Sequence, residues 1–411
     1  MKYDEAKKIL EKYNQEHILK SYERLDDENK EKLLDQILRV DFEQIMNLYE
    51  KTKEKIEFKD SIIEPLPSID SESLLEQERA KYLEVGEEII KNGKLAAVTM
   101  AGGQGTRLGH NGPKGTYDLG LSSHKSLFEI LCDGLKETWN KYGVAVPWYI
   151  MTSRENNDAT VKFFEEKNYF GYPKENIMFF KQGELPMISE DGKIILDENG
   201  FIKEAADGHG GIFESLYRNK ALEDMKKRGI EWVFVGGVDN VLVRMTDVLF
   251  TGFVAANNYK AASKTIIKSS PEEKVGVFCR KNGIPYVIEY TEIPEELASE
   301  RNEKNELVYA DGHMLLNMFN IEVLDKIASS KLPYHSAYKK SSYMNENGEI
   351  IKPEKPNAYK FEAFIFDAFS LLPEVGLYRG KREYDFSPVK NAEGIDSPET
   401  ARRDYIKYHN L

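Results

Sequence analysis

Between Leu95 and Gly120 the chain reads LAAVTMAGGQGTRLGHNGPKGTYDLG. An apolar run delivers a glycine-rich stretch that holds two cations, Arg107 and Lys114, and no acidic residue before Asp118. Glycines place no Cβ between backbone N–H groups and a ligand, so the main chain can come close to an anion. A turn or helix that follows aims several N–H donors at one point. The chemistry this offers is the grip of a phosphate chain, with Arg107 and Lys114 as counter-charge; the competing reading is a solvated turn. Two well-known phosphate loops fail on spacing. The dinucleotide fingerprint needs GxGxxG, whereas Gly103 and Gly105 are followed by Gly109, and the P-loop GxxxxGK[ST] does not occur near this strand.

A second candidate is Asp239, at the end of the apolar run EWVFVGGVD. A carboxylate at the carboxyl end of a strand is well placed to hold Mg²⁺ bridging phosphate oxygens. The alternative is an N-cap for whatever follows.

These groups need a scaffold. A chain of 411 residues exceeds the size at which one core stops growing, so two or three domains are expected. Its hydrophobic share of 41% suits a packed globular protein. A net charge of −13 argues against coating nucleic acid or an anionic membrane, and so requires cations to be gathered locally if an anion is bound. Cys132 and Cys279 stand far apart and make neither a disulfide framework nor a zinc site. MKYDEAKKILEKYNQEH lacks the apolar centre of a signal peptide, and no apolar run reaches the roughly 20 residues of a membrane span. A cytoplasmic protein is expected.

Residues 1–95 read as amphipathic helices, with Leu33, Leu34, Ile37, Leu38, Ile45 and Leu48 on a helical period and Asp26 or Asp27 as a cap. The proline- and serine-containing stretch 59–73 reads as a linker. From residue 96 to 385 short apolar runs at 95–100, 146–153, 176–182, 231–239 and 264–269 alternate with helical stretches at 125–143, 157–170 and 211–229. Such alternation predicts an α/β fold, a mostly parallel Rossmann-like sheet with helices on both faces. Ligands bind such sheets beyond the carboxyl ends of the strands, where LAAVTM delivers its loop. Residues 275–293 read as a hairpin turned by Asn282-Gly283, 361–372 as a helix or strand–helix element, and 386–411 as a short extension.

AGGQGTRLG followed by PKG resembles the loop of the UDP-sugar pyrophosphorylases, nucleotidyltransferases that join UTP to a sugar 1-phosphate. YDLGLSSHKSLFEI, NIMFFKQGELP, DGKIIL, VDNVLV, VGVFCR, VIEYTEI, KPEKPNAYKFEAFIFD and FSPVKNAEG narrow the resemblance to the branch typified by eukaryotic UDP-N-acetylglucosamine pyrophosphorylase, over residues 80–402. It implies UTP and a hexose 1-phosphate as substrates, UDP-sugar and pyrophosphate as products, and Mg²⁺ held by Asp239. Ala101, Gly102, Gly103, Gly105 and Thr106 would hold the nucleotide, Gln182 would read uracil, and Gly208 would lie against base and ribose. Arg107 would face the departing pyrophosphate, with Lys114 and Lys360 on the phosphates and Lys390 as a lesser member of that cluster. Asn240, Gly276, Glu289 and Tyr290 would line the hexose. The chain departs from the family's pattern at His209 and His313, where the acetamido-sugar branch carries asparagine near the sugar; Asn317 lies a few residues on. Glucose or galactose 1-phosphate therefore competes with N-acetylglucosamine 1-phosphate. The family's small C-terminal β domain is expected to be absent, and the molecule to be a monomer or weak homo-oligomer. Two other readings are a glycosyltransferase, for which Val238-Asp239-Asn240 only partly imitates a DxD motif, and a non-catalytic UDP-sugar sensor, against which Arg107, Lys114 and Lys360 are all present.

Overall fold

A computed structural model describes residues 2–53 and 61–411. The backbone divides into two compact units. One gathers residues 1–60, 183–211 and 332–364; the other gathers 61–182, 212–331 and 365–411. This division follows none of the boundaries at 95 and 385 suggested by composition, because the first unit is built from three separate segments.

The larger unit carries the sheet. Its strands are β1 (Leu95–Met100), β2 (Trp148–Thr152), β3 (Ile177–Lys181), β4 (Trp232–Gly237), β5 (Ala261–Ile267), the hairpin β6 (Val277–Lys281) and β7 (Ile284–Ile288), the long β8 (Asp311–Asn320) and β9 (Gly376–Arg379). The order across the sheet is Ile69–Asp70, β9, β5, β8, β4, β1, β2, β3. β4, β1, β2 and β3 run parallel, and β8 is inserted antiparallel between β4 and β5. The expected mostly parallel sheet is present. Every residue of β1 is buried, as a central parallel strand covered on both faces requires. The Asn282-Gly283 turn has both residues at positive φ (53° and 79°), the geometry a two-residue hairpin demands.

Local signals set the helices. Leu127–Tyr142 opens with a Ser126/Glu129 capping box and closes on Gly143 at φ 72°. The stretch read as one helix over 211–229 is two, Ile212–Arg218 and Ala221–Lys227, broken at Lys220 with φ 60°. The expected linker also differs: of its described residues, Ile63–Pro65 pairs with β6 and Ile69–Asp70 with β9, while residues 59 and 60 lie outside the described ones. Helix Glu76–Lys91 belongs to this unit, crossing Val248–Ala256 so closely that a Cβ on Gly86 or Gly252 would meet backbone oxygen at 1.9 and 1.6 Å.

In the smaller unit, helices Lys2–Lys12, His17–Tyr22, Asp27–Arg39 and Phe42–Lys51 pack around a core shared with Ile188, Ile194, Leu196, Ile202 and Phe361. The expected stripe of Leu33, Leu34, Ile37, Ile45 and Leu48 is buried there, and Asp26 caps its helix by accepting from the Asn29 N–H. A three-stranded antiparallel sheet, His335–Lys339, Ala358–Glu362 and Ile188–Ser189, completes it.

Candidate active site

The register of the large sheet assembles one rim. Met100 ends β1 beside Gly237 of β4 and Met151 of β2, and Thr152 lies beside Lys181 of β3. The chain then continues outward from each strand in the same direction. Ala101 N–H donates to Met151 O (2.7 Å) and Gln182 N–H to Thr152 O (2.7 Å), so the loop start and the candidate uracil reader leave neighbouring strand ends together. A Cβ on Gly102 would stand 2.7 Å from Gln182 Oε1. Any side chain at residue 102 would have to displace the Gln182 amide.

The glycine loop closes on itself. Lys114 N–H donates to Gly103 O (3.0 Å), Gly105 N–H to Gly112 O (2.9 Å), and Gln104 bridges Pro113. Asn156, 1% exposed, donates its amide to Ala101 O and Gly103 O (2.9 and 3.2 Å), bracing the loop from β2's side. His110 fills the loop's interior: its Nε2 lies 2.8 Å from Thr116 Oγ1, and a Cβ on Gly105 would meet its ring at 2.7 Å. Because Thr116 Oγ1 donates to Pro113 O, it accepts from His110, which fixes that nitrogen as the donor. Thr106 and Arg107 sit exposed on the short turn Thr106–Leu108, closed by Gly109 at φ 69°. Among the described residues Arg107 has no hydrogen-bond or ion-pair partner, so its guanidinium is available to an anionic ligand.

Lys114 Nζ stands 3.2 Å from Asp239 Oδ2, with side chains 17% and 27% exposed. The pair sets a cation for phosphate oxygens beside a carboxylate that suits a metal. Among the described residues no three His, Cys, Asp or Glu side chains form a metal cage. A single partly exposed carboxylate fits Mg²⁺ all the same, because this ion keeps waters and takes substrate phosphates rather than an all-protein cage.

A second cluster lies further along the same rim, where β8 pairs with β4 and β6. His313 N–H donates to Gly276 O (2.9 Å), and a Cβ on Gly276 would stand 3.2 Å from Glu289 Oε1. The His313 ring is held edge-on by Phe278 and Phe366 (5.5 Å each), and its Nε2 lies 3.2 Å from Asn317 Oδ1. Asn317 is fully buried and its Nδ2 has no partner among the described residues. Leu315, between the two, sits at φ 58°, a bulge that turns His313 and Asn317 toward one another. Tyr290, 44% exposed, follows Glu289. Asn240 is different: it is 3% exposed and its amide is committed to backbone groups at 385–387.

Gly208, His209 and Lys360 lie in the smaller unit and group there. Gly208, at φ 87°, packs so tightly that a Cβ would meet Ala363 O at 2.3 Å and Glu362 Cβ at 2.8 Å. Glu362 accepts from Lys360 Nζ (2.6 Å). His209 stacks on Phe364 (5.2 Å, 29°), with His335 stacked on that ring at 4.5 Å. Burial, helped by the nearby His335, pushes the His209 pKa down to about 4, so its ring is neutral near pH 7.

Residues 39–395 match the family described as UTP–glucose-1-phosphate uridylyltransferase. The chain belongs to this family. The uridylyltransferase is 37% identical to "UDP-N-acetylglucosamine diphosphorylase 2" of Arabidopsis thaliana, over 97% of its length and 82% of the relative's. It is 36% identical to the "UDP-N-acetylglucosamine pyrophosphorylase" of Saccharomyces cerevisiae, over 98% and 89%. A crystal structure of the uridine diphosphate N-acetylglucosamine pyrophosphorylase from Trypanosoma brucei superposes with a TM-score of 0.84 at 30% identity, covering all of this chain and 85% of that one. The resemblance of the chain to UDP-sugar pyrophosphorylases is thereby shown, and the chain is a nucleotidyltransferase rather than a glycosyltransferase or a silent sensor.

Several site residues escaped sequence reasoning. Asn156 and His110 act through backbone and loop packing, which carry no spacing signature. Lys264, buried at 2% exposure on β5 between Asp247 and Asp385, left one trace: a charge inside an apolar strand, which must find a carboxylate.

Proposed function

We propose that the uridylyltransferase makes UDP-N-acetylglucosamine and pyrophosphate from UTP and N-acetylglucosamine 1-phosphate. The observation that supports this sugar is the 36–37% identity, across nearly the whole chain, to two relatives named for it. In this reading the sugar-phosphate oxygen attacks the α-phosphorus of UTP in line, a P–O bond forms, and the α–β bridging bond breaks to release pyrophosphate. The second pKa of a phosphate monoester is about 6, so the nucleophile is ionised without a general base. Catalysis rests on positioning and on charge. Within the loop from Ala101 to Thr106, the N–H groups other than those of Ala101 and Gly105, which are spent on Met151 O and Gly112 O, face the nucleotide. Gln182 takes uracil, Arg107 the leaving pyrophosphate, and Lys114 the charge on the transferring group. By the resemblance, Lys360 would meet the phosphates and Gly208 the base and ribose. Mg²⁺, when bound at Asp239, supplies neutralising charge between phosphates. Glu289, Tyr290, Gly276, His313 and Asn317 form the sugar-facing set, and His209 is assigned to the sugar by the resemblance alone.

A second reading, use of glucose or galactose 1-phosphate, is favoured by the histidines at 209 and 313. Pyrophosphate release measured with N-acetylglucosamine, glucose and galactose 1-phosphates decides between them. The highest kcat/KM is expected for the N-acetylated substrate; a higher value for glucose 1-phosphate overturns the assignment. The same reading places the enzyme in the cytoplasm, consistent with two free, buried cysteines. Among the described residues no helix is long and apolar enough to cross a membrane.

A further inference from the structure

Asn240 follows Asp239 and carries an amide that looks suited to a sugar hydroxyl. Its geometry leaves little to offer one. Nδ2 donates to Asp385 O at 2.7 Å, and Oδ1 accepts from Ser387 N–H at 2.9 Å and Leu242 N–H at 3.2 Å. Both lone pairs of the amide oxygen are used. Two more backbone bonds flank it: Val389 N–H to Asp239 O (2.9 Å) and Val241 N–H to Ser387 O (3.2 Å). Residues 239–241 are thus stitched to 385–389, and the stitch passes through the Asn240 side chain.

The anchor is itself held. Asp385 Oδ1 receives Lys264 Nζ at 2.6 Å and Arg244 Nη2 at 2.8 Å, and the same two cations meet Asp247 Oδ2 at 2.6 and 3.1 Å. Burial opposes the charge on Asp247 and Asp385, but Lys264 and Arg244 outweigh it and hold both carboxyls below their ordinary range. Two cations and two anions leave the quartet no net charge; Lys264, Asp247 and Asp385 are buried, while the Arg244 side chain reaches solvent.

We propose that Asn240 is a positioning residue for Asp239, and that the Lys264–Asp385 pair behind it keeps its anchor fixed. The proposal rests on the reading of Asp239 as the metal-holding carboxylate. Groups that orient a metal ligand typically change metal affinity by about 10- to 100-fold when removed.

The test is Mn²⁺ affinity by electron paramagnetic resonance, with the full chain and UTP but no sugar phosphate, alongside steady-state KM for the sugar phosphate. Asn240→Ala is expected to weaken Mn²⁺ binding about tenfold, with sugar KM changed less than about twofold. Asn240→Ala added to Asp239→Asn is expected to weaken it no further, since a residue acting through another is silent once that one is gone. Should the alanine variant not fold, Asn240→Asp keeps the acceptor and loses the donor, and the same loss is expected. A raised sugar KM with unchanged Mn²⁺ affinity, or a further loss in the Asp239→Asn background, overturns the proposal. Failure of the metal reading is separate: Asp239→Asn alone would then bind Mn²⁺ as the natural protein does.

Discussion

Lys114→Ala tests whether fixed charge carries the chemistry. Lys114 reaches Asp239 at 3.2 Å from a site where its side chain is 17% exposed. A cation about 4 Å from a phosphoryl group, at the effective dielectric of about 20 that suits partly buried sites, interacts with one unit of charge by about 4 kcal/mol. Each 1.36 kcal/mol of transition-state stabilisation is about tenfold in rate, so turnover should fall about 10³-fold. The structural cost is small by comparison. Asp239 keeps access to water, and a partly exposed ion pair contributes about 1 kcal/mol or less. At most a few degrees of melting temperature should be lost. Pyrophosphate release at saturating UTP and sugar phosphate gives kcat, and thermal unfolding gives the control. A kcat within tenfold of the natural enzyme, in a protein that melts normally, would remove Lys114 from the reaction. A raised KM for UTP at constant kcat would demote it to ground-state binding.

Gly105→Ala places a methyl about 2.7 Å from the His110 ring; overpacking of about 1–3 kcal/mol should raise the KM for UTP more than that for the sugar phosphate, and adding His110→Ala should reverse it, failing which His110 is not the loop's filler. His209→Asn should raise the use of N-acetylglucosamine 1-phosphate relative to glucose 1-phosphate, and an unchanged ratio shows that another residue selects the sugar. The same variant tests pH dependence. His209 has its pKa lowered to about 4 in the fold, so the unfolded chain binds a proton more readily; stability is full above about pH 6.5 and declines as pH falls toward 4, by about 3 kcal/mol in all. Urea unfolding across that window should lose this slope in His209→Asn, and a retained slope refutes the assignment. Lys264→Met leaves Asp247 and Asp385 facing only Arg244 and should cost about 3–5 kcal/mol; a loss under about 1 kcal/mol in urea unfolding would show the quartet relaxes freely.

What the sequence disclosed depended on how local the cause was. LAAVTM is a strand within its predicted limits because six consecutive buried residues leave no other reading. Ser126 and Gly143 bound their helix as capping chemistry dictates, and Asn282-Gly283 turns the hairpin. The glycine loop could be placed at a strand's carboxyl end because the alternation of strand and helix fixes which way every parallel strand points. Lys220 misled, since nothing around it announces a left-handed residue within an otherwise helical pattern. The described part of the proline-containing stretch after residue 59 gave edge strands instead of a linker, for prolines are tolerated where one side of the ladder faces solvent.

The harder failure concerned side chains whose role is set by long-range partners. Asn240 and Asp239 are neighbours in VDN, and the resemblance assigns Asp239 to the metal and Asn240 to the sugar. Only the structure shows that one carboxylate is partly exposed beside Lys114 while the adjacent amide is spent on backbone about 145 residues away in sequence. Composition cannot distinguish a polar side chain that meets ligand from one that meets the main chain, because both need the same donor and acceptor. The difference is burial, and the buried anchor beside Asn240 is built from Asp385, Lys264 and the 244–247 segment, three separate stretches of chain. The discontinuous smaller unit makes the same point at larger scale. Its helices display a clear apolar stripe, but the surface that stripe covers comes from residues 183–211 and 332–364, so periodicity revealed a face and not its partner.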